Sequence, residues 1–311
     1  MSTARQRFEA MLAGRCNGPP AWLPLMDVLP ARVTRTGYRE MTADAGQWCA
    51  GLVTAAELLG ADAIVAGCDP TLTAEACGAA LNWDAVPPAL ASAPAQIAAH
   101  PLAAPRQAAL VEVLRRLGAT ARARFGIVAV LAGPATLARQ LCPGQPFEEA
   151  LRQLRGAQML VAEALLQARP DLLLLTERMP APDAEPERAW QRAFGTLRNA
   201  AAHYDVPLAL RVENWGAGHA AWLAGLRLQA VLLGPGSGDA LALARELAAS
   251  VPAVGVPVTA EDVAARAALA DAVGSARAAG ANLFLSTAGA VGGQGDLAVL
   301  REFGAVRQAA A

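Results

Sequence analysis

The 311-residue chain is poor in several things at once, and each shortage excludes a class of protein. No apolar run reaches the roughly 18 residues that a membrane-spanning helix needs. Phe125 to Ala138, among the longest uncharged stretches, is short and broken by Gly and Pro. Neither sign of charge is in excess: 26 basic residues stand against 27 acidic ones, a net charge of -1, so the basic footprint that nucleic acid requires is missing. Cysteine is scarce and unpaired in pattern. Cys16, Cys49, Cys68, Cys77 and Cys142 form an odd set without a CxxC pair, which fits reduced thiols in a cytoplasmic protein. The first residues mix Arg5, Arg7 and Glu9 into a helical pattern with no continuous apolar stretch, so no signal peptide is expected. Charged residues make up only 17% against 54% hydrophobic, which excludes overall disorder and leaves ample apolar surface for a core.

Eight short apolar runs recur along the chain: Ala21 to Leu29, Ala61 to Gly67, Gly126 to Gly133, Asp171 to Glu177, Pro207 to Asn214, Ala230 to Gly234, Ala253 to Val258 and Asn282 to Thr287. Continuous apolarity, as in Asp171-Leu-Leu-Leu-Leu-Thr, suits parallel strands buried on both faces. Between them, apolar residues fall at helical spacing: Trp48, Leu52, Ala56 and Leu59; Leu110, Leu114 and Leu117; Phe147, Leu151 and Leu154; Trp190, Phe194 and Leu197. Gly60 and Gly118 mark helix ends, and Thr259-Ala-Glu-Asp has the form of a capping box. Length alone suggests about two domains at ~150 residues each. Eight strand-helix units instead predict one α/β domain over residues 1–311, a (β/α)8 TIM barrel whose last strand pairs with its first. The competing doubly wound sheet lacks its GxGxxG after the first strand, where Met26-Asp-Val-Leu-Pro stands. The Pro- and Ala-rich stretch Asn82 to Pro105 is expected to be an excursion near the barrel mouth.

Several segments carry a resemblance. Gly37-Tyr-Arg-Glu-Met-Thr-Ala-Asp, Ala55-Ala-Glu-Leu-Leu-Gly-Ala-Asp-Ala-Ile-Val-Ala-Gly-Cys-Asp-Pro, Ala74-Glu-Ala-Cys-Gly, Leu131-Ala-Gly-Pro-Ala-Thr-Leu-Ala and Ser286-Thr-Ala-Gly-Ala-Val-Gly-Gly together resemble the uroporphyrinogen decarboxylase superfamily, as a divergent member. The resemblance implies a (β/α)8 barrel and one of two activities. Its decarboxylases are cofactor-independent carboxy-lyases of porphyrin biosynthesis, commonly dimeric. In them an aspartate after the second strand stabilises the cation of a protonated pyrrole, and Asp69 matches it; capping the turn before Pro70 is its alternative role. Other family positions differ. Leu29 and Val33 stand where two arginines are expected ahead of Tyr38-Arg39-Glu40, with Arg32 and Arg35 close by in another register. Gln140 replaces a tyrosine and Ala288 a histidine. An eight-carboxylate substrate needs cations and a proton donor, so uroporphyrinogen itself is disfavoured. The superfamily's methyltransferases hold zinc through His-x-Cys after the fifth strand and a late Cys. Here Arg211 and Glu213 occupy the likely positions and no Cys follows Cys142, so no metal is expected.

Strand ends facing the mouth supply the remaining candidates. Arg211 and Glu213 alternate on one strand and share a face, as an internal salt bridge or as site residues. Asp27 is a second acid or a turn cap, and His219 an acid–base group or a helix start. The expected site comprises Asp69, Asp27 and His219 for catalysis, with Arg32, Arg35, Tyr38, Gln140, Arg178, Arg211, Glu213 and Ser286 binding substrate. The primary expectation is decarboxylation of a porphyrinogen or another carboxylated small molecule without a cofactor. The alternatives are a corrinoid-linked methyltransferase without the usual zinc site, served by a corrinoid protein, and a barrel that binds a tetrapyrrole or other anion without catalysis. A homodimer is expected by analogy alone.

Overall fold

The computed structural model describes residues 2–15, 18–179, 188–259, 266–291 and 302. Ten strands occur among them: β1 (Trp22–Leu23), β2 (Ala63–Ala66), β3 (Ala80–Asn82), β4 (Ala89–Ser92), β5 (Gly126–Ala132), β6 (Leu172–Arg178), β7 (Leu208–Glu213), β8 (Ala230–Leu233), β9 (Ala253–Val258) and β10 (Leu283–Thr287). Eight form one parallel sheet in the order β1-β10-β9-β8-β7-β6-β5-β2, so the last strand does pair with the first. Helices separate the strands and cover the outside, and the result is the TIM-barrel fold. The continuous apolar runs have the expected cause. β2, β5 and β8 are buried along their whole length, one face against helices and the other inside the barrel. The predicted helical stripes also turn inward: Trp48, Leu52, Ala56 and Leu59 of α4 (Ala45–Leu59) are buried.

Local differences have local reasons. The first strand is shorter than Ala21 to Leu29, because Pro24 lacks a ladder N–H and Pro30 fits the first turn of a helix, Leu29–Thr34. Gly60 ends its helix in the left-handed region at φ 59°. Gly118 does not end α6 (Pro105–Thr120), which continues past it. The excursion after β2 contains an antiparallel hairpin of β3 and β4, and its Pro87 reaches the barrel mouth. The Ala260-Glu-Asp part of the predicted capping box lies outside the described residues, as does the glycine-rich segment from residue 292 on.

The barrel floor explains why the N-terminal helix α1 (Ala4–Leu12) is there. Phe8 and Met11 enter the inner cluster of Leu23, Val65, Leu172, Leu174, Leu232 and Phe284. Gly126 is glycine because a Cβ there would sit 2.4 Å from the Phe8 ring. Two arginines of α1 then hold two aspartates that each precede a strand. Arg7 donates to Asp62 at 3.0 and 2.6 Å, and Asp62 in turn accepts the Trp22 N–H at 2.9 Å. Arg5 donates to Asp171 at 2.5 and 3.1 Å, and Asp171 accepts the Ile127 N–H at 2.8 Å. Asp62 matters most, since β1 and β2 share no ladder and its side chain, with its own N–H to the Trp22 carbonyl at 2.8 Å, bridges that seam. Its carboxylate is fully buried, so removing it strands a guanidinium and a backbone donor. Asp62→Ala is expected to cost about 3–5 kcal/mol of stability in urea unfolding. Glu57→Gln, which breaks the exposed Glu57–Arg124 pair, is expected to cost at most about 1 kcal/mol.

Candidate functional site

At the C-terminal ends of the strands the barrel opens into a cavity of about 510 Å³, a size suited to a small molecule. Its walls carry Asp27 beyond β1, Asp69 beyond β2, Glu177 and Arg178 at the end of β6, and Arg211 and Glu213 of β7. Much of the remainder is apolar, including Leu25, Val130 and Leu174.

Gly67, at φ 89°, lets the chain leave β2 in the left-handed region, and Asp69 follows two residues later. All of its acceptor capacity is used within the protein. Oδ1 accepts the N–H and hydroxyl of Thr71 at 2.8 and 2.7 Å. Oδ2 accepts a short bond from the Arg106 guanidinium and lies 3.2 Å from the Tyr38 hydroxyl. Arg106, buried in the first turn of α6, also donates to Glu75 at 2.9 Å and to Thr42 at 3.1 Å. Its guanidinium lies 5.0 Å from the centre of the Trp83 ring, which Arg39 approaches at 4.9 Å. Asp69 therefore caps its own turn and anchors a buried cation as well as standing at the family position.

Asp27 is different. The last strand fixes its loop, through the Leu25 N–H to Thr287 Oγ1 at 3.0 Å and the Val291 N–H to the Leu25 carbonyl at 2.6 Å. The Tyr38 hydroxyl donates to Asp27 Oδ1 at 2.5 Å, and Oδ2 has no partner among the described residues of this cavity wall. Burial first, and then the negative Asp69, push the Asp27 carboxyl up to about 7, against the opposing pull of Tyr38 and Arg106. The donor inventory agrees. Tyr38 has one hydroxyl proton between two carboxyl groups, and the same causes raise its own pKa well above the usual phenol range. With the phenol proton on the shorter bond to Asp27 Oδ1, the proton that Asp27 retains sits on Oδ2.

Glu177 is spent as a cap. Its carboxylate accepts the N–H groups of Ala135 and Thr136 at the start of α7 (Pro134–Leu141), the Thr136 hydroxyl and the Trp190 indole N–H, at 2.6–2.9 Å. Burial nevertheless holds it above the usual carboxylate range. Gly133 makes room, since a Cβ there would lie 2.3 Å from the Glu177 carboxyl carbon.

Arg211 makes a short ion pair with Glu213 and donates to the Ala288 carbonyl at 2.7 Å, tying β7 to the end of β10. The sequence resemblance implies a zinc ligand of the methyltransferases at this strand end. Arginine cannot ligate a metal, and no cluster of three His, Cys, Asp or Glu side chains among the described residues could hold one. The described residues of this mouth do not fit zinc.

The structure brings Asp27, Asp69, Tyr38, Gln140, Arg178, Arg211 and Glu213 together in or directly behind the cavity. It does not bring the other expected residues there. His219 is buried, accepts the Gly216 N–H at 3.1 Å and meets Trp222 edge-on. The Ser286 hydroxyl donates to the Leu23 carbonyl at 2.7 Å. Arg32 and Arg35 lie on and after the helix beyond β1, off the cavity wall. Cys68 faces the cavity, but burial holds its thiol well above the usual range, the opposite of an activated nucleophile. The residue that sequence reasoning missed is Arg106. Its one signal is a cation in the first turn of a helix, where the helix dipole disfavours it.

Comparison with known proteins agrees with this architecture. A methyltransferase from Methanosarcina mazei superposes with a TM-score of 0.79 at 15% identity, covering 99% of each chain. A B12-independent methionine synthase from a Shewanella species, solved with selenomethionine, reaches a TM-score of 0.41 at 15% identity over 64% of each chain. No curated protein matches by sequence. No helix among the described residues is long and apolar enough to cross a membrane. Residues 3–169, more than half of the chain, match the sequence profile of uroporphyrinogen decarboxylase. With that match over the first three barrel strands and the mouth residues between them, the chain belongs to the uroporphyrinogen decarboxylase family.

Proposed function

We propose that the protein is a metal-independent enzyme that delivers a proton to a small substrate, with Asp27 as the donor. One observation carries this reading: a carboxyl group shifted to about 7, backed by Tyr38, with one oxygen free on the cavity wall. A general acid works best when its pKa lies near the operating pH.

Two reactions use such a donor. The first is methyl transfer. Asp27 protonates the heteroatom that loses its methyl group as the methyl passes to an acceptor carried by a corrinoid protein. The match along 99% of both chains to a methyltransferase supports this reading. Two features of the mouth weigh against a porphyrinogen: Asp69 has no acceptor left for pyrrole N–H groups, and four carboxyl side chains face two guanidinium groups on the cavity wall. The second reaction is decarboxylation of a smaller carboxylated substrate, in which Asp27 protonates the carbon that loses carbon dioxide. The family match favours it.

The two are separated by incubating the protein with free cob(I)alamin and a panel of methyl ethers, thioethers and amines, and in parallel by measuring carbon dioxide release from a panel of carboxylates. A cobalamin spectral change supports the first reading and gas release the second. Silence in both rejects the proposal in favour of a barrel that only binds its ligand.

In whichever assay responds, Asp27→Asn is expected to lower the rate by at least about 100-fold with the fold intact by circular dichroism. The wild-type rate is expected to fall above pH 7, as the donor loses its proton. Asp69→Asn removes the neighbouring negative charge, so the Asp27 pKa drops and the alkaline limb moves to lower pH. Carboxyl carbon NMR titration reads that shift without any substrate.

A stability consequence follows from the same raised pKa. The folded chain keeps a proton that the unfolded chain releases from about pH 4 upward. Asp27 therefore makes the fold progressively less stable as pH rises from about 4 to about 7, and the effect levels off above. Asp27→Asn is expected to flatten that part of the urea-midpoint profile.

A further inference from the structure

We infer that the substrate of this mouth is a small monoanion, a monocarboxylate with an apolar body, and that Arg178 binds its charged end. The inference concerns the substrate class of the site proposed above and rests on that site being the functional one.

Asp69 is matched by Arg106, which lies behind the wall, and Glu213 is matched by Arg211. Glu177 has no cation but is enclosed by four donors, and Asp27, its carboxyl pushed up to about 7, is largely protonated below neutrality. Arg178 remains. It is exposed, lines the cavity, and its guanidinium has no partner among the described residues. One unpaired guanidinium on the described wall fits one anionic group, not eight.

Its backbone is well held. Arg178 is paired with Glu213 in the β6–β7 ladder, its N–H donates to Thr136 Oγ1 at 2.9 Å, and its carbonyl accepts a short bond from Arg139. The side chain is thus a cation on a fixed base. A guanidinium presents two parallel N–H groups to a carboxylate. Gln140, next to Arg139 on α7, supplies an independent sign of an unfilled site. It lines the same cavity, its Nε2 is 3.4 Å from the Pro70 carbonyl, and its Oε1 is enclosed with no partner. A buried carbonyl oxygen without a donor is costly, and a ligand hydroxyl or N–H would satisfy it. The apolar body follows from Leu25, Val28, Val130 and Leu174 between the two ends. Arg178 stands on β6 and Asp27 beyond β1, three strands apart around the barrel, so a ligand held by one presents its far end to the other.

Calorimetric titration of the full chain with benzoate, octanoate, the two corresponding primary amides and coproporphyrin tests the inference. Expected is binding of at least one monocarboxylate, at least roughly tenfold tighter than its amide and than coproporphyrin. Arg178→Gln is expected to abolish that preference for the acid over the amide, and Arg178→Lys to restore part of it. Equal affinity for acid and amide, unchanged preference in Arg178→Gln, tighter binding of coproporphyrin, or no binding of any probe would overturn it. The same titration in Asp27→Asn separates this inference from the proposed reaction. Retained, Arg178-dependent binding there upholds the anion site even where turnover assays reject Asp27 as the proton donor.

Discussion

A carboxyl group shut inside a barrel must find donors for its lone pairs or give up its charge. Four such groups are buried among the described residues, and their fates organise the molecule. Asp62 is matched by Arg7 and a backbone N–H and closes the floor. Asp69 is matched by Arg106 and Thr71 and fixes the turn beyond β2. Glu177 has no cation but four hydrogen-bond donors and sets the start of α7. Asp27 alone has neither a cation of its own nor a full set of donors, and a neighbour already ionised. It is the one that keeps its proton. Its chemical character is thus a product of how thoroughly the other three are satisfied, Asp69 above all.

The two ends of the barrel solve this constraint differently. At the floor, α1 brings its own arginines to the aspartates ahead of β2 and β6, so the charges neutralise one another and Phe8 can seal the interior. At the mouth, the cations come from outside the strand ends or from the strand itself: Arg106 from α6, Arg211 from β7. These pairs are built into the wall; among its described charged and acidic groups, the Arg178 guanidinium and one oxygen of Asp27 stay without a partner. The floor is a structural neutralisation with nothing left over. At the mouth the described wall keeps one carboxyl shifted toward neutrality, Asp27, and one unpaired guanidinium, Arg178.

The barrel was legible because its signal is repeated. Eight apolar runs separated by helical stripes give the strand count, and a parallel sheet buried on both faces gives the runs their continuity. The family resemblance rested on short segments around Tyr38 and Asp69, and both residues do stand together at the mouth, joined by a hydrogen bond. What stayed illegible depends on contacts distant in sequence. Nothing around Asp27 says that Tyr38 and Asp69 lie beside it, so its retained proton could not be read. Arg106 reads as a surface residue of a helix start until α6 is placed against α3 (Tyr38–Ala43) and the hairpin of Trp83. His219 drew attention as a rare titratable residue near a strand end. Its ring belongs to a local turn with Gly216 and Trp222. Rarity in composition carries no information about which way a side chain faces.

Arg211 and Glu213 set what the end of β7 can do chemically. A zinc ion at this strand end could accept a substrate atom into an open coordination position and so activate it directly. A guanidinium already committed to Glu213 and the Ala288 carbonyl can contribute a positive potential but has no position to open. The chain contains no lysine either, so a neutral amine nucleophile is not on offer. Asp27 is the described group of the wall whose carboxyl is pushed up to about 7 with an oxygen left unpartnered, and the proposed proton transfer rests on it. The buried, cation-poor position beyond β1 is where the described wall holds a protonated acid, because the one cation nearby, Arg106, is already matched to Asp69.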